Sequence, residues 1–154
     1  MTQHIGFQHD DGGRGEAGFK PGAGDCVCRA VTIAGQMDYR EVYDLFYLTS
    51  AKIEREPSSP RDGVSRKVID AVLVGEWGWT WTPTMQIGSG TRVHLRADEL
   101  PGGRIVARLS RHTCAVIDGV VRDTYDQRRE GTRAVYGFWT VPDGWSPRRH
   151  TDGS

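Results

Sequence analysis

The hydrophobic period of this chain changes near Trp77, and that change limits the folds open to it. Before Trp77 apolar residues recur at helical spacing; after it they come in short runs and alternations of the strand type. In CVCRAVTIAG, Cys26 to about Gly35, Val27, Ala30, Val31 and Ala34 share one stripe, with Asp25 placed to cap the start and Gly35 to stop the end. Asp38, three residues before Glu41, makes a variant capping box for a second helix carrying Val42, Leu45, Phe46, Leu48 and Ile53, which should end before Pro57. A turn-rich loop from Pro57 to Gly63 leads to Ser65, a cap for a third helix reaching about Gly75 through Val68, Ile69, Val72 and Leu73.

Trp77, Trp79 and Trp81 alternate with Gly78 and Thr80 as a half-buried strand would, and Arg96 to Leu100 suits a helical turn. Further strands are expected at Arg104 to Ser110, Thr113 to Ile117, Val120 to Thr124 and Ala134 to Val141. Asp118-Gly119 between two apolar runs is a strong hairpin signal. The expected fold class is α+β, with N-terminal helices packed on a C-terminal antiparallel β-sheet. Residues 1–24 read as an irregular glycine-rich arm, 25–141 as the domain and 142–154 as a flexible tail.

A length of 154 residues suits one core, and 20 basic against 20 acidic residues leave no basic stripe to replace counterions on phosphates. Nucleic acid is therefore not an expected partner. No segment is long and apolar enough to span a bilayer, and the first residues lack the pattern of a secretory signal. A cytoplasmic location without membrane contact is the expectation. Three cysteines do not make a disulfide framework, so thiol chemistry or burial must account for them.

Cys26 and Cys28 lie in GDCVCRA, at the start of the first predicted helix. A thiol in the first helical turn meets unpaired N–H groups and the positive end of the helix dipole, which favour the thiolate. Cys28 lies about 200° further round the helix, so the two thiols face different directions. Cys-x-Cys spacing suits neither a structural zinc site nor a redox pair, and no metal or cofactor is expected. Cys26 is the candidate nucleophile, with Cys28 and Cys114 read as packing.

A nucleophilic thiol needs a base and a group that orients the base. His112 lies at the start of the strand expected over Thr113 to Ile117, and Asp123 lies across the Asp118-Gly119 turn, where hairpin register sets position 114 opposite 123. A one-residue adjustment would bring Asp123 level with His112. Asp126 is a second candidate for the orienting role. Arg29, one turn beyond Cys26, should hold an acidic residue of the sheet or favour the thiolate. The tryptophans read as core.

The order of a cysteine at a helix start, a helical half, a histidine on one strand and an acidic residue on the next resembles the papain-like cysteine peptidase fold. GDCVCRAVTIAGQMDYREVYDL and RHTCAVIDGVVRDTYD are also similar to small papain-like proteins of phages and bacteria, whose segments read DCVVRA and H-x-x-A-V-x-x-G-x-x-x-D. The resemblance covers residues from about 18 to 141. It implies Cys26 as nucleophile, His112 as general base and acid, and Asp123 as orienter, acting on a peptide or other amide substrate, which for a phage protein could belong to the host cytoplasm. Papain-like enzymes commonly carry a Gln before the nucleophile that helps bind the oxyanion, whereas this chain has Phe19-Lys20-Pro21-Gly22-Ala23-Gly24 there. The Cys26 N–H supplies one donor, and Lys20, Gln8 and Asp25 are the remaining candidates around the cleft. Transglutaminase-like acyl transfer shares the Cys, His, Asp order, and a non-catalytic binding protein of the same fold, such as a phage interaction or anti-defence protein, is the rival class.

Overall fold

The computed structural model describes residues 5–19, 24–57, 59–61, 63–84 and 93–147. Its first helix, α1 (Cys26–Gly35), is buried at every residue from Val27 to Gly35. A helix apolar on nearly all sides must be covered on all sides, and α1 packs on the sheet strands and on the second helix. The left-handed stop falls on Gln36 (φ 54°, ψ 49°), one residue later than expected. Gly35 has a packing role instead: a Cβ there would lie 3.3 Å from Met37 and 3.4 Å from Trp145.

Helix α2 (Tyr39–Ile53) begins where the Asp38 carboxylate accepts the Glu41 N–H at 3.2 Å. Helix α3 (Arg66–Asp70) begins where the Ser65 hydroxyl accepts the Val68 N–H at 3.3 Å, and it runs on as a π-helical turn over Ala71–Glu76. The strand expected from Trp77 starts only at Thr80. The N–H groups of Trp77 and Trp79 bond back to the Val72 and Leu73 carbonyls at 3.0 and 2.8 Å, which ties both indoles to the end of the helix.

The main sheet holds β1 (Gly6–His9), β2 (Thr80–Pro83), β4 (Arg104–Leu109), β5 (His112–Ile117), β6 (Val120–Asp123) and β8 (Gly137–Thr140) in the order β1-β6-β5-β4-β8-β2. Asp118 and Gly119, both at positive φ (48° and 75°), form the β5–β6 hairpin turn, as the Asp-Gly pair requires. The sheet is mixed where an antiparallel one was expected. The difference is β1, which lies within the arm read as irregular and pairs parallel to β6. Four residues are too short to carry a period, and the unpaired edge of β6 supplies the ladder that holds them. The long strand expected over Ala134 to Val141 is also divided: β7 (Ala134–Val135) pairs with β3 (Val93–His94) in a separate two-stranded sheet.

One apolar core joins the helices to the sheet through Val31, Phe46, Ile69, Ala115 and Trp139; a second gathers Ile5, Leu95, Ile105, Cys114 and Val121. The tail read as flexible from Pro142 is partly docked, because Trp145 is buried with its ring centroid 5.4 Å from Trp77 and 5.2 Å from Trp79. Among the described residues no helix is long and apolar enough to cross a membrane.

At Gly137 a side chain from the neighbouring strand lies close against the backbone. A Cβ there would meet the Trp81 indole and lie 2.9 Å from the Thr82 carbonyl oxygen. Gly137→Ala is therefore expected to destabilise the fold by about 1–3 kcal/mol, the range for overpacking. A urea midpoint equal to that of the wild type would refute this.

Candidate active site

Cys26 is the one residue of α1 that is not buried. The helix begins at a hollow of about 170 Å³ lined by Cys26, His112, Arg108, Arg111, Gly63 and Val64, among others. The Asp25 carboxylate makes no side-chain cap on α1, so the first N–H groups of the helix are left to act on the thiol.

His112 reaches the same hollow through the β4–β5 turn. Leu109 pairs with His112 in the register, so only Ser110 and Arg111 connect the strands, with Arg111 at φ 56°. Pairing of Ile117 with Val120 and of Ala115 with Arg122 continues the expected hairpin without adjustment. Position 114 is therefore nearest Asp123, and His112 meets Asp123 on the diagonal, a separation that long side chains span. Its Nε2 hydrogen-bonds the Asp123 Oδ2 at 2.5 Å. That leaves Nδ1 free of Asp123, and the imidazole interacts with the Cys26 thiol, which lines the same hollow.

The protonation states follow from these contacts. Burial by itself would raise the Cys26 thiol, but the hydrogen bond and positive charge of His112, the Thr113 N–H and the charge of Arg29 outweigh it and hold the thiol below its ordinary range. Burial would lower His112, yet its hydrogen bonds to Asp123 and Cys26, and their charges, bring it up to about 9. Asp123, which burial would raise, is held below the usual carboxylate range by His112, the Thr124 N–H and Arg29. Together these shifts move the pair toward a thiolate beside an imidazolium. The other two thiols differ: burial pushes Cys28 up to about 12 and raises Cys114 further.

Behind Asp123 lies a buried ionic chain whose members the sequence presents far apart. Arg29 bonds Asp123 Oδ1 at 3.2 Å and also pairs with Asp25. Asp25, only 1% exposed, further accepts from Arg14 at 3.0 Å and from the Tyr39 hydroxyl at 2.9 Å. Asp25 is thus neither helix cap nor cleft residue; its carboxylate is fully engaged behind the thiol. Arg14 was not legible as part of the site. It arrives because Asp10 and Asp11 accept the Gly12 and Gly13 N–H groups at 2.9 Å each, turning the arm against α1, where a Cβ on Gly12 would lie 3.2 Å from the Arg29 carbonyl.

The remaining candidates separate clearly. Asp126 is exposed and bonds Arg128 at 2.6 Å instead of His112. Gln8 is exposed on β1 beside Arg122 and does not line the hollow. Lys20 lies outside the described residues. Tyr125, unnoticed in the sequence, sets its ring 5.5 Å from that of His112. A larger hollow of about 560 Å³, lined by Ile53, Lys67, Asp70, Val74 and Trp81 among others, shares no lining residue with that of Cys26 and contains no Cys, Ser or His. Among the described residues no three His, Cys, Asp or Glu side chains stand together as a metal site. No protein-family model matches the chain, and neither a curated protein nor a solved structure matches it significantly.

Proposed function

We propose that this chain is a cysteine-dependent hydrolase of amide or related acyl bonds, of papain-like architecture, with Cys26 as nucleophile, His112 as base and acid, and Asp123 as orienter. The observation that carries the reading is that Cys26 and His112 line one hollow, His112 is hydrogen-bonded to Asp123 at 2.5 Å, and the interaction of thiol and imidazole shifts the first down and the second up. In the acylation step the Cys26 thiolate attacks the carbonyl carbon, and the C–N bond breaks as His112 delivers its proton to the leaving amine. A thioester remains on Cys26. His112 then takes a proton from water, the resulting hydroxide attacks the thioester carbon, and the C–S bond breaks to return the thiolate. The Cys26 N–H, at the helix start, supports the developing oxyanion. Arg29 fixes Asp123, and through it the imidazole, from behind.

Alkylation with iodoacetamide at neutral pH, followed residue by residue with mass spectrometry, tests the nucleophile. Cys26 is expected to be fully modified before Cys28 or Cys114 reacts measurably, because reactivity follows thiolate character and access. An inert Cys26 in the native protein, with all three thiols reacting only on unfolding, would overturn the proposal. Hydrolysis of a fluorogenic amide panel, lost in Cys26→Ala, tests turnover itself.

A further inference from the structure

The hollow beside Cys26 has a sign. Arg108 and Arg111 both line it, its lining contains no Asp or Glu among the described residues, and its floor includes His112. Most arginines near this site are engaged: Arg14 and Arg29 with Asp25, Arg29 also with Asp123, and Arg133 with Gln127 and the Ser110 carbonyl. Arg108 and Arg111 differ, since among the described residues neither guanidinium has a hydrogen-bond or ion-pair partner. Their placement follows from the strands. Arg108 stands between Thr113 on β5 and Gly137 on β8 and is half-buried, with part of its side chain at the hollow. Arg111 occupies the left-handed position of the turn leading into His112. Two guanidiniums and the start of α1 therefore converge on one small cavity in a chain whose net charge is zero.

We propose that Arg108 and Arg111 select substrates carrying a carboxylate close to the scissile carbonyl, such as an acidic side chain next to the amide that Cys26 attacks. This inference rests on Cys26 as the nucleophile. A guanidinium matches a carboxylate with two parallel hydrogen bonds, and its charge cannot be lost by deprotonation. A volume of about 170 Å³ accommodates one Asp or Glu side chain with a few waters, each of which takes about 30 Å³.

The test compares two small alkylating reagents of nearly equal shape on the full chain: iodoacetate, which is anionic, and iodoacetamide, which is neutral. The ratio of their rates at Cys26 reads the local potential and cancels changes in thiolate population common to both. A unit charge about 6 Å away in a water-like dielectric changes such a ratio about threefold, so Arg108→Gln with Arg111→Gln is expected to lower it about tenfold. His112 contributes equally in both proteins and drops out of the comparison. Raising the salt concentration should lower the wild-type ratio, a measurement that needs no variant to fold, and should leave the ratio of the double variant nearly flat. The same selection should appear in hydrolysis, with amides flanked by Asp or Glu favoured over their Asn or Gln counterparts in the wild type alone. A wild-type ratio that salt does not change, or a double variant with the wild-type ratio, overturns the role of the two arginines while leaving the nucleophile standing. Slow modification of Cys26 by iodoacetamide itself overturns the nucleophile, and this inference with it.

Discussion

His112→Ala is expected to reduce hydrolysis by about 100- to 10,000-fold, the usual contribution of a positioned acid–base group. Two losses combine. Without the imidazolium, only the Thr113 N–H and Arg29 oppose the effect of burial at Cys26, so the thiolate fraction at neutral pH falls; the proton for the leaving amine also disappears. Alkylation by iodoacetamide isolates the first loss. At pH 7 it should slow at least about tenfold, the fall in thiolate fraction exceeding the gain in intrinsic nucleophilicity. The pH profile supplies the sign. In the wild type, hydrolysis should rise as Cys26 deprotonates below the normal thiol range and fall as His112 loses its proton near pH 9. Alkylation should show the rise without the fall, since a thiolate needs no acid to displace iodide. A variant alkylated as fast as the wild type would sink the ion pair.

Arg29→Ala should have the largest effect on stability. Arg29 stands between the carboxylates of Asp25 and Asp123, which are 1% and 3% exposed. Removing one partner of a buried ionic group typically costs about 3–5 kcal/mol, because the charges left behind have lost both water and counter-charge. For a chain of this length that corresponds to a fall in Tm of roughly 10 °C or more. Arg14 and Tyr39 still hold Asp25, and His112 still holds Asp123, which keeps the loss within that range. Arg29→Lys should retain part of the stability, since the charge survives but the two-sided geometry does not. Acid sensitivity has a defined direction. The folded state depresses the Asp123 pKa, so this group stabilises the fold above the unfolded carboxylate pKa, and its contribution is lost as pH falls through the folded value. Weakening that depression should move the acid transition upward in Arg29→Ala. An unchanged urea midpoint and acid transition would mean that the ionic chain contributes nothing.

Much of this was legible in local patterns. The caps at Asp38 and Ser65 accept the N–H groups expected of them, and the Asp118-Gly119 turn sets the β5–β6 register from which the meeting of His112 and Asp123 follows. The cysteines of GDCVCRA divide as helical geometry requires, with Cys26 at the mouth of the hollow and Cys28 wholly buried. Other readings failed for a common reason. Asp25 has the sequence position of a cap, but a buried site where Arg14, Arg29 and Tyr39 converge outbids a single N–H bond. The tryptophan alternation looked like a strand, yet hydrogen bonds back to the helix hold Trp77 and Trp79 in the connection.

The sequence by itself determined the elements whose hydrogen bonds close within a few residues: helices, caps, the tight hairpin and the side of α1 on which each thiol lies. Tertiary structure alone decided what those elements enclose. It brought β1 to the free edge of β6, folded the arm so that Arg14 meets Asp25, and joined Arg29 to Asp123 across 94 residues of chain. It also placed Arg108 and Arg111 around the thiol in a hollow whose lining, among the described residues, has no Asp or Glu. Such placements depend on which side chains share a cavity, and burial makes each shared charge far stronger than its sequence position can show.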